Sequence, residues 1–169
     1  MKKMIIFLFV FTLISILINN KNQIVIPNTA IRFRIIANSN STEDQELKYE
    51  IKNKIEPGII KNLEQSKTIS EARSNINNYI PEIEKQINNY TTDYNINYGN
   101  NYFPEKEFKG VIYPEGEYES LVITLGNGLG DNWWCVLFPP LCLLEAEESN
   151  VEQTEYKFYV QEIINKFKN

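Results

Sequence analysis

The sequence predicts an α+β domain: one antiparallel or mixed sheet with long helices packed on one face, preceded by an N-terminal hydrophobic export or anchor helix. Three observations predict it. Apolar residues recur every three to four positions from Leu47 to Ile87 and every second position from Tyr94, a change from helical to strand period. Strand-like runs dominate thereafter, giving the order β-α-α-β-β-β-β-α, which is not the strict βαβ alternation of a doubly wound sheet. The chain also opens with an apolar run, Met4 to Ile18, interrupted only by Thr12 and Ser15 and preceded by Lys2 and Lys3.

That opening run sets the compartment. A positive start, a short hydrophobic region and the polar Asn19-Asn20-Lys21-Asn22 read as an export signal. The run is shorter than the ~20 residues that span a ~30 Å hydrocarbon core. No A-x-A-like cleavage site follows it. Residues 1–23 are therefore a signal peptide or an uncleaved, tilted or bilayer-thinning anchor, and residues 24–169 form one extracytoplasmic domain.

Composition excludes several functions. The 169 residues contain no histidine, which removes Ser-His-Asp and Cys-His catalysis and His-containing zinc sites. Two cysteines alone build neither a structural zinc site nor an iron–sulfur cluster, so no cofactor or metal is expected. Lys2, Lys3 and Lys21 are the only charges before Ile24, leaving 14 basic against 22 acidic residues, a net −8, in the exported part. Such a domain does not suit nucleic acid or anionic headgroups. Contact with a membrane is expected through the N-terminal segment only.

Element by element, Ile24 to Thr29 reads as a short extended linker in which Pro27 ends any helix, and Ile31–Ile36 as a β-branched, central strand. Ser41 or Thr42 caps a helix with Glu43 and Asp44 in its first turn. Leu47, Ile51 and Ile55 form its core stripe, and Pro57-Gly58 is expected to break or kink it before a brief resumption at Ile59, Ile60 and Leu63. Thr68 and Glu71 make a capping box, opening a helix to about Asn89 that Pro81 is expected to bend. Tyr94, Ile96 and Tyr98 alternate with Asn95 and Asn97 as a half-exposed strand. Val111–Tyr113 and Tyr118–Leu125 follow as strands around a turn at Pro114-Glu115-Gly116. Asn132–Phe138 is a further strand candidate. Glu145–Gln153 is polar and acidic, and Tyr156–Phe167 closes the chain as a helix or strand–helix junction.

Three constellations invite a chemical reading. Gly126, Gly128 and Gly130 sit between strand candidates, and a dinucleotide fingerprint needs a helix after them; they read as a turn. Glu115, Glu117 and Glu119 share a strand face, but nothing supplies the differently buried second carboxylate that acid–base catalysis requires. They read as a solvated face. The third is Trp133-Trp134-Cys135-Val136-Leu137-Phe138-Pro139-Pro140-Leu141-Cys142, which gathers both tryptophans and both cysteines of the chain. Apolar on both strand faces, it is either a central strand or a partner-binding surface. The candidate contact residues are Trp133, Trp134, Phe138, Pro139, Pro140 and Leu141. A disulfide between Cys135 and Cys142 needs Cα atoms within ~7 Å, hence a chain reversal inside Val136–Leu141. Pro139-Pro140 either supplies that reversal through a cis bond or holds the segment extended.

Ile31 to Ser41, with Glu43-Asp44-Gln45 and Leu47-Lys48, resembles the opening signature of the stage II sporulation protein R family. The matching positions singled out are Arg32, Arg34, Asn38, Ser39, Glu43, Asp44 and Gln45. Tyr113-Pro114, Gly116 to Glu119, Leu125-Gly126 and Asn132 to Cys142 resemble its second signature. The resemblance runs from about Ile31 to Leu143. It implies a non-enzymatic signal made in the forespore of endospore-forming bacteria and exported across the forespore's inner membrane. In the intermembrane space such proteins trigger a membrane-embedded aspartic peptidase that removes the pro-sequence of sigma-E. On that reading an apolar-aromatic surface near Trp134 and Phe138 docks on the peptidase, and replacing Phe138 and Leu141 with Ser leaves a folded but inactive domain. The rival reading is a cell-wall glycan-binding module without catalytic activity.

Overall fold

A computed structural model describes residues 24–142 and 152–167. The leader at 1–23 and residues 143–151, including the start of the acidic Glu145–Gln153 segment, lie outside the described residues.

Among the described residues, seven strands and three helices follow in the order β1 (Ile24–Val25), β2 (Ile31–Ile36), α1 (Thr42–Leu63), α2 (Ile69–Ile87), β3 (Tyr94–Phe103), β4 (Lys106–Phe108), β5 (Val111–Tyr113), β6 (Gly116–Leu125), β7 (Asn132–Phe138) and α3 (Gln153–Lys166). The fold is α+β, with two mixed sheets. The larger has the strand order β3-β6-β2-β7, and the smaller β1-β5-β4. Strand β2 pairs parallel with β6 and antiparallel with β7, while β3 and β6 pair antiparallel over their full ten residues.

The larger sheet separates two cores. On one face, Ile31, Phe33 and Ile35 of β2 with Leu121, Ile123 and Leu125 of β6 pack under Ile51 and Ile55 of α1 and Ile76, Ile83 and Ile87 of α2. The odd-numbered positions of β2 and β6 point this way, as the period of two requires. On the other face, Val136 and Trp134 of β7 pack with Ile24, Val111, Tyr113 and the α3 residues Tyr156, Val160 and Ile164. The expected placement of the long helices on one face holds for α1 and α2. The small sheet and α3 form a second layer, opposite them.

Several local expectations change. The Ile24–Thr29 linker begins with a strand, because Ile24 and Val25 pair with Val111 and Ile112. Helix α1 runs unbroken through Pro57 and Gly58: Ile55, Ile59 and Leu63 are all buried, and that packing outweighs the hydrogen bond Pro57 removes. A Cβ on Gly58 would collide with the Tyr79 hydroxyl of α2, so the glycine allows the two helices to approach. Helix α2 opens on the expected capping box, continues through Pro81 and ends at Ile87. Strand β4, which has only three residues, was not expected, and β3 extends to Phe103.

Strand β7 differs most. It is not central but terminal in the larger sheet. Its two apolar faces are covered instead by the two layers: Trp133, Cys135 and Leu137 face the helices, and Trp134 and Val136 face the small sheet and α3. A register shift at Ile31/Arg32 turns Phe138 to the helix side, where its ring meets Phe167 edge-on at 5.0 Å.

Leu141 is fully buried in the second core, so Leu141→Ala is expected to destabilise the domain by about 3 kcal/mol, read as a shift in the denaturant unfolding midpoint. A change under about 0.5 kcal/mol, the usual range for surface positions, would contradict this placement.

Candidate functional site

The Trp133–Cys142 segment forms a stapled corner. The chain reverses after β7 through a cis Phe138–Pro139 bond, Leu141 N–H donates to the Val136 carbonyl at 3.1 Å, and Cys135 and Cys142 are bridged with Cα atoms 5.2 Å apart. Of the two outcomes open at Pro139-Pro140, the chain adopts the reversal.

Burial divides the six expected contact residues. Phe138, Pro139 and Leu141 are buried, whereas Trp133, Trp134 and Pro140 are only partly covered. The expectation that Phe138 and Leu141 can become Ser in an intact domain is corrected: both fill the cores, so their substitution reads stability first. Trp133 stacks edge-on with Phe33 at 5.5 Å and lies under the Lys52 ammonium at 5.1 Å. Trp134 meets Tyr113 edge-on at 4.6 Å and carries the Lys106 ammonium 4.7 Å above its ring. Rings with one protected face and cations at the other are the anchors that protein interfaces favour.

Around the tryptophans opens a cleft of about 230 Å³ lined by Tyr49, Lys106, Phe108, Asn132, Trp133 and Trp134. It falls below the ~300 Å³ at which small-molecule pockets begin, so it admits one or two side chains. Tyr49, Lys106 and Phe108 were not singled out from the sequence. Tyr49 stands outside the apolar stripe of α1 and is 48% exposed, a signal that was legible; Lys106 sits on a strand too short to announce itself. A larger cleft of about 600 Å³ lies beyond Phe138 and Pro139, toward Arg73, Glu117 and Glu119.

The residues of the first signature lie elsewhere and hold the scaffold. Asp44 accepts from Asn38 Nδ2 at 2.8 Å and from the Ser39 hydroxyl, and its backbone N–H donates to the cap Ser41. The Ser39 and Asn38 hydrogen bonds hold the Asp44 carboxyl below the usual carboxylate range. Asn38 Oδ1 accepts the Asn127 N–H at 2.9 Å, and Gln45 Nε2 donates to the Ser39 carbonyl at 2.9 Å. The glycine loop is thereby tied to the start of α1. Gly126 has φ +52°, and a Cβ there would collide with Asn38 Oδ1, so the loop glycines serve close backbone approach. Glu43 is exposed in the first turn of α1.

Arg32 is 1% exposed, donates to the Pro114 carbonyl at 3.0 Å and places its guanidinium 3.5 Å from the Tyr118 ring centre. Arg34 stands over Phe103 at 4.5 Å. Burial pulls both guanidinium pKa values down, and aromatic faces take the place of carboxylates.

The glutamate row does not act as a unit. Glu115 accepts from the Tyr102 hydroxyl, Glu117 is exposed, and Glu119 accepts from Arg73 Nε at 2.8 Å and from the Tyr98 hydroxyl at 2.7 Å. Partial burial opposes ionisation of Glu119, but the Arg73 and Tyr98 bonds outweigh it and hold its pKa below the usual value. A depressed carboxylate pKa adds stability above the unfolded-state pKa that is lost as pH falls through the folded-state one. Glu119→Gln should therefore flatten the acid limb of a stability–pH curve below about pH 4.3, the ordinary glutamate value; an unchanged acid limb would contradict the network. Reducing Cys135–Cys142, which closes a seven-residue separation, should lower unfolding stability by about 2 kcal/mol, and equal stability with and without reductant would contradict the staple.

A family model described as Stage II sporulation protein R matches residues 27–148, a span holding both signatures and the stapled corner. The stage II sporulation protein R of Bacillus subtilis (strain 168) is 41% identical over 156 residues, covering 80% of this chain and 69% of the relative. No solved structure matches the chain. The chain belongs to the stage II sporulation protein R family, and its role is accordingly in sporulation.

Proposed function

We propose that this protein is an exported signal that acts by contact alone, triggering the membrane-embedded aspartic peptidase that removes the pro-sequence of sigma-E. Family membership carries the reading, and three features support it. The hydrophobic start suits export, with residues 4–18 either removed or retained as an anchor. The Cys135–Cys142 bridge suits an oxidising space outside the cytosol. The partly exposed Trp133, Trp134 and Pro140 offer a rigid aromatic surface beside an acidic body.

Docking favours an active peptidase only if the protein binds that state more tightly than the resting one. A rigid corner suits that task, since little ordering is lost on contact. Phe138 and Leu141 support the surface from beneath, and Trp134 and its neighbours meet the partner.

Co-expression of the full chain with the peptidase and pro-sigma-E in a non-sporulating host tests the proposal. Cleavage of pro-sigma-E is expected with all three components and not without this chain. Trp134→Ala is expected to reduce cleavage at least fivefold while the secreted level stays constant. Absence of cleavage with all three components present would overturn the reading.

A further inference from the structure

The free edge of β7 lies at the floor of the aromatic cleft. Strand β7 ends the order β3-β6-β2-β7, so no described strand pairs with its outer side; the returning corner takes the Val136 carbonyl, and the outward backbone donors and acceptors before it are left to accept a partner. Helix α1 covers one face of the sheet at this edge and β4 stands over the other. Tyr49 from α1 and Lys106 and Phe108 from β4 become the two walls, with Asn132, Trp133 and Trp134 along the floor. A groove between an edge strand and flanking side chains is the arrangement that accepts an added strand: the backbone provides affinity and side-chain recesses provide specificity.

Charge selects the occupant. Residues 24–169 carry a net −8, yet the one described charged residue lining this cleft is the cation Lys106. Among the described residues Lys106 forms no ion pair, although Glu105 and Glu107 flank it in sequence. Arg34 lies opposite Trp134 in the ladder but carries its guanidinium over Phe103 of β3 and does not line the cleft. Lys52 is neutralised by Glu56 at 2.6 Å, and Lys48 is occupied by Gln45 and the Asp131 carbonyl. The uncompensated positive charge thus sits over Trp134, on the small-sheet wall.

We propose that an extended, carboxylate-bearing segment of the partner adds as a strand to the outer edge of β7, seating one acidic side chain against Lys106 and one apolar side chain between Tyr49 and Trp133. The segment joins the larger sheet as a fifth strand. This deepens the docking reading above and rests on it for the partner's identity, but the strand-addition mode stands on the edge, the walls and the charge. A second copy of the chain is disfavoured as occupant, because two bodies of net −8 repel.

The test uses the full chain with its disulfide intact and peptides tiling the extracytoplasmic loops of the peptidase from the same genome. The chain holds two tryptophans, both in this cleft, so their fluorescence reports on it alone. An acidic peptide is expected to shift the emission saturably and to slow hydrogen exchange at Asn132–Trp134. Lys106→Glu should weaken that binding roughly tenfold and flatten its salt dependence, while Lys106→Arg retains both; neither changes the unfolding midpoint. No emission shift with any peptide would overturn the proposal. So would protection, in the free chain, of the β7 amides that do not bond to β2, which would mean that the outer edge is already covered. Pro-sigma-E cleavage separates the two claims: cleavage that Lys106→Glu leaves untouched, with no peptide binding, removes strand addition and leaves the trigger role, whereas absent cleavage removes the trigger role and leaves the peptide result to decide strand addition.

Discussion

Strand β7 carries apolar side chains on both faces, and a terminal strand is able to bury both only if each face of the sheet is covered where it ends. Cys135 and Leu137 enter the core beneath α1 and α2, while Val136 enters the one beneath the small sheet and α3. The requirement links the two layers through a single strand. It also fixes the path of the chain after β7: the backbone reverses within a few residues, Leu141 returns to the second core, Cys142 to the first, and the bridge to Cys135 holds the reversal. The corner is thus a structural joint before it is a surface, and the surface is what the joint leaves uncovered.

The first signature performs a related task with polar groups. Asn38, Ser39, Asp44 and Gln45 hold the glycine loop against the start of α1, and that loop delivers the chain into β7. The Asn40 side chain accepts the Asp131 N–H at 2.6 Å and Lys48 donates to the Asp131 carbonyl, one residue before the strand begins. Two signatures about a hundred residues apart in the chain therefore converge on one object, the entry, course and exit of β7. Arg32 and Arg34 belong to the same scheme, since both lie on β2, the strand that pairs with β7.

The sequence made much of this legible. The period change at Tyr94, the capping box at Thr68-Glu71 and the β-branched run at Ile31 each specify their element by local physics, and each formed. Elements set by distant contacts were less visible. Nothing near Pro57 shows that burial of Ile55, Ile59 and Leu63 carries α1 through it, and Ile24–Val25 becomes a strand only because Val111–Tyr113 lies beside it. The ten-residue corner was recognisable as unusual, but alternation alone does not tell a central strand from an edge strand covered on both sides. For the same reason Phe138 and Leu141 read as surface candidates and proved to be core, while Tyr49 and Lys106, which wall the cleft, come from elements far apart in the chain.

The central claim is that the protein works by touch through the uncovered part of this corner. Its most direct test is site-specific photo-crosslinking in sporulating cells, with a photoreactive phenylalanine analogue placed at Asn132, on the cleft floor, or at Tyr90, exposed just beyond α2. The account predicts a covalent adduct with the sigma-E-processing peptidase from position 132 and none from position 90. An adduct from position 90 alone, or none from either while pro-sigma-E is being cleaved, would contradict it.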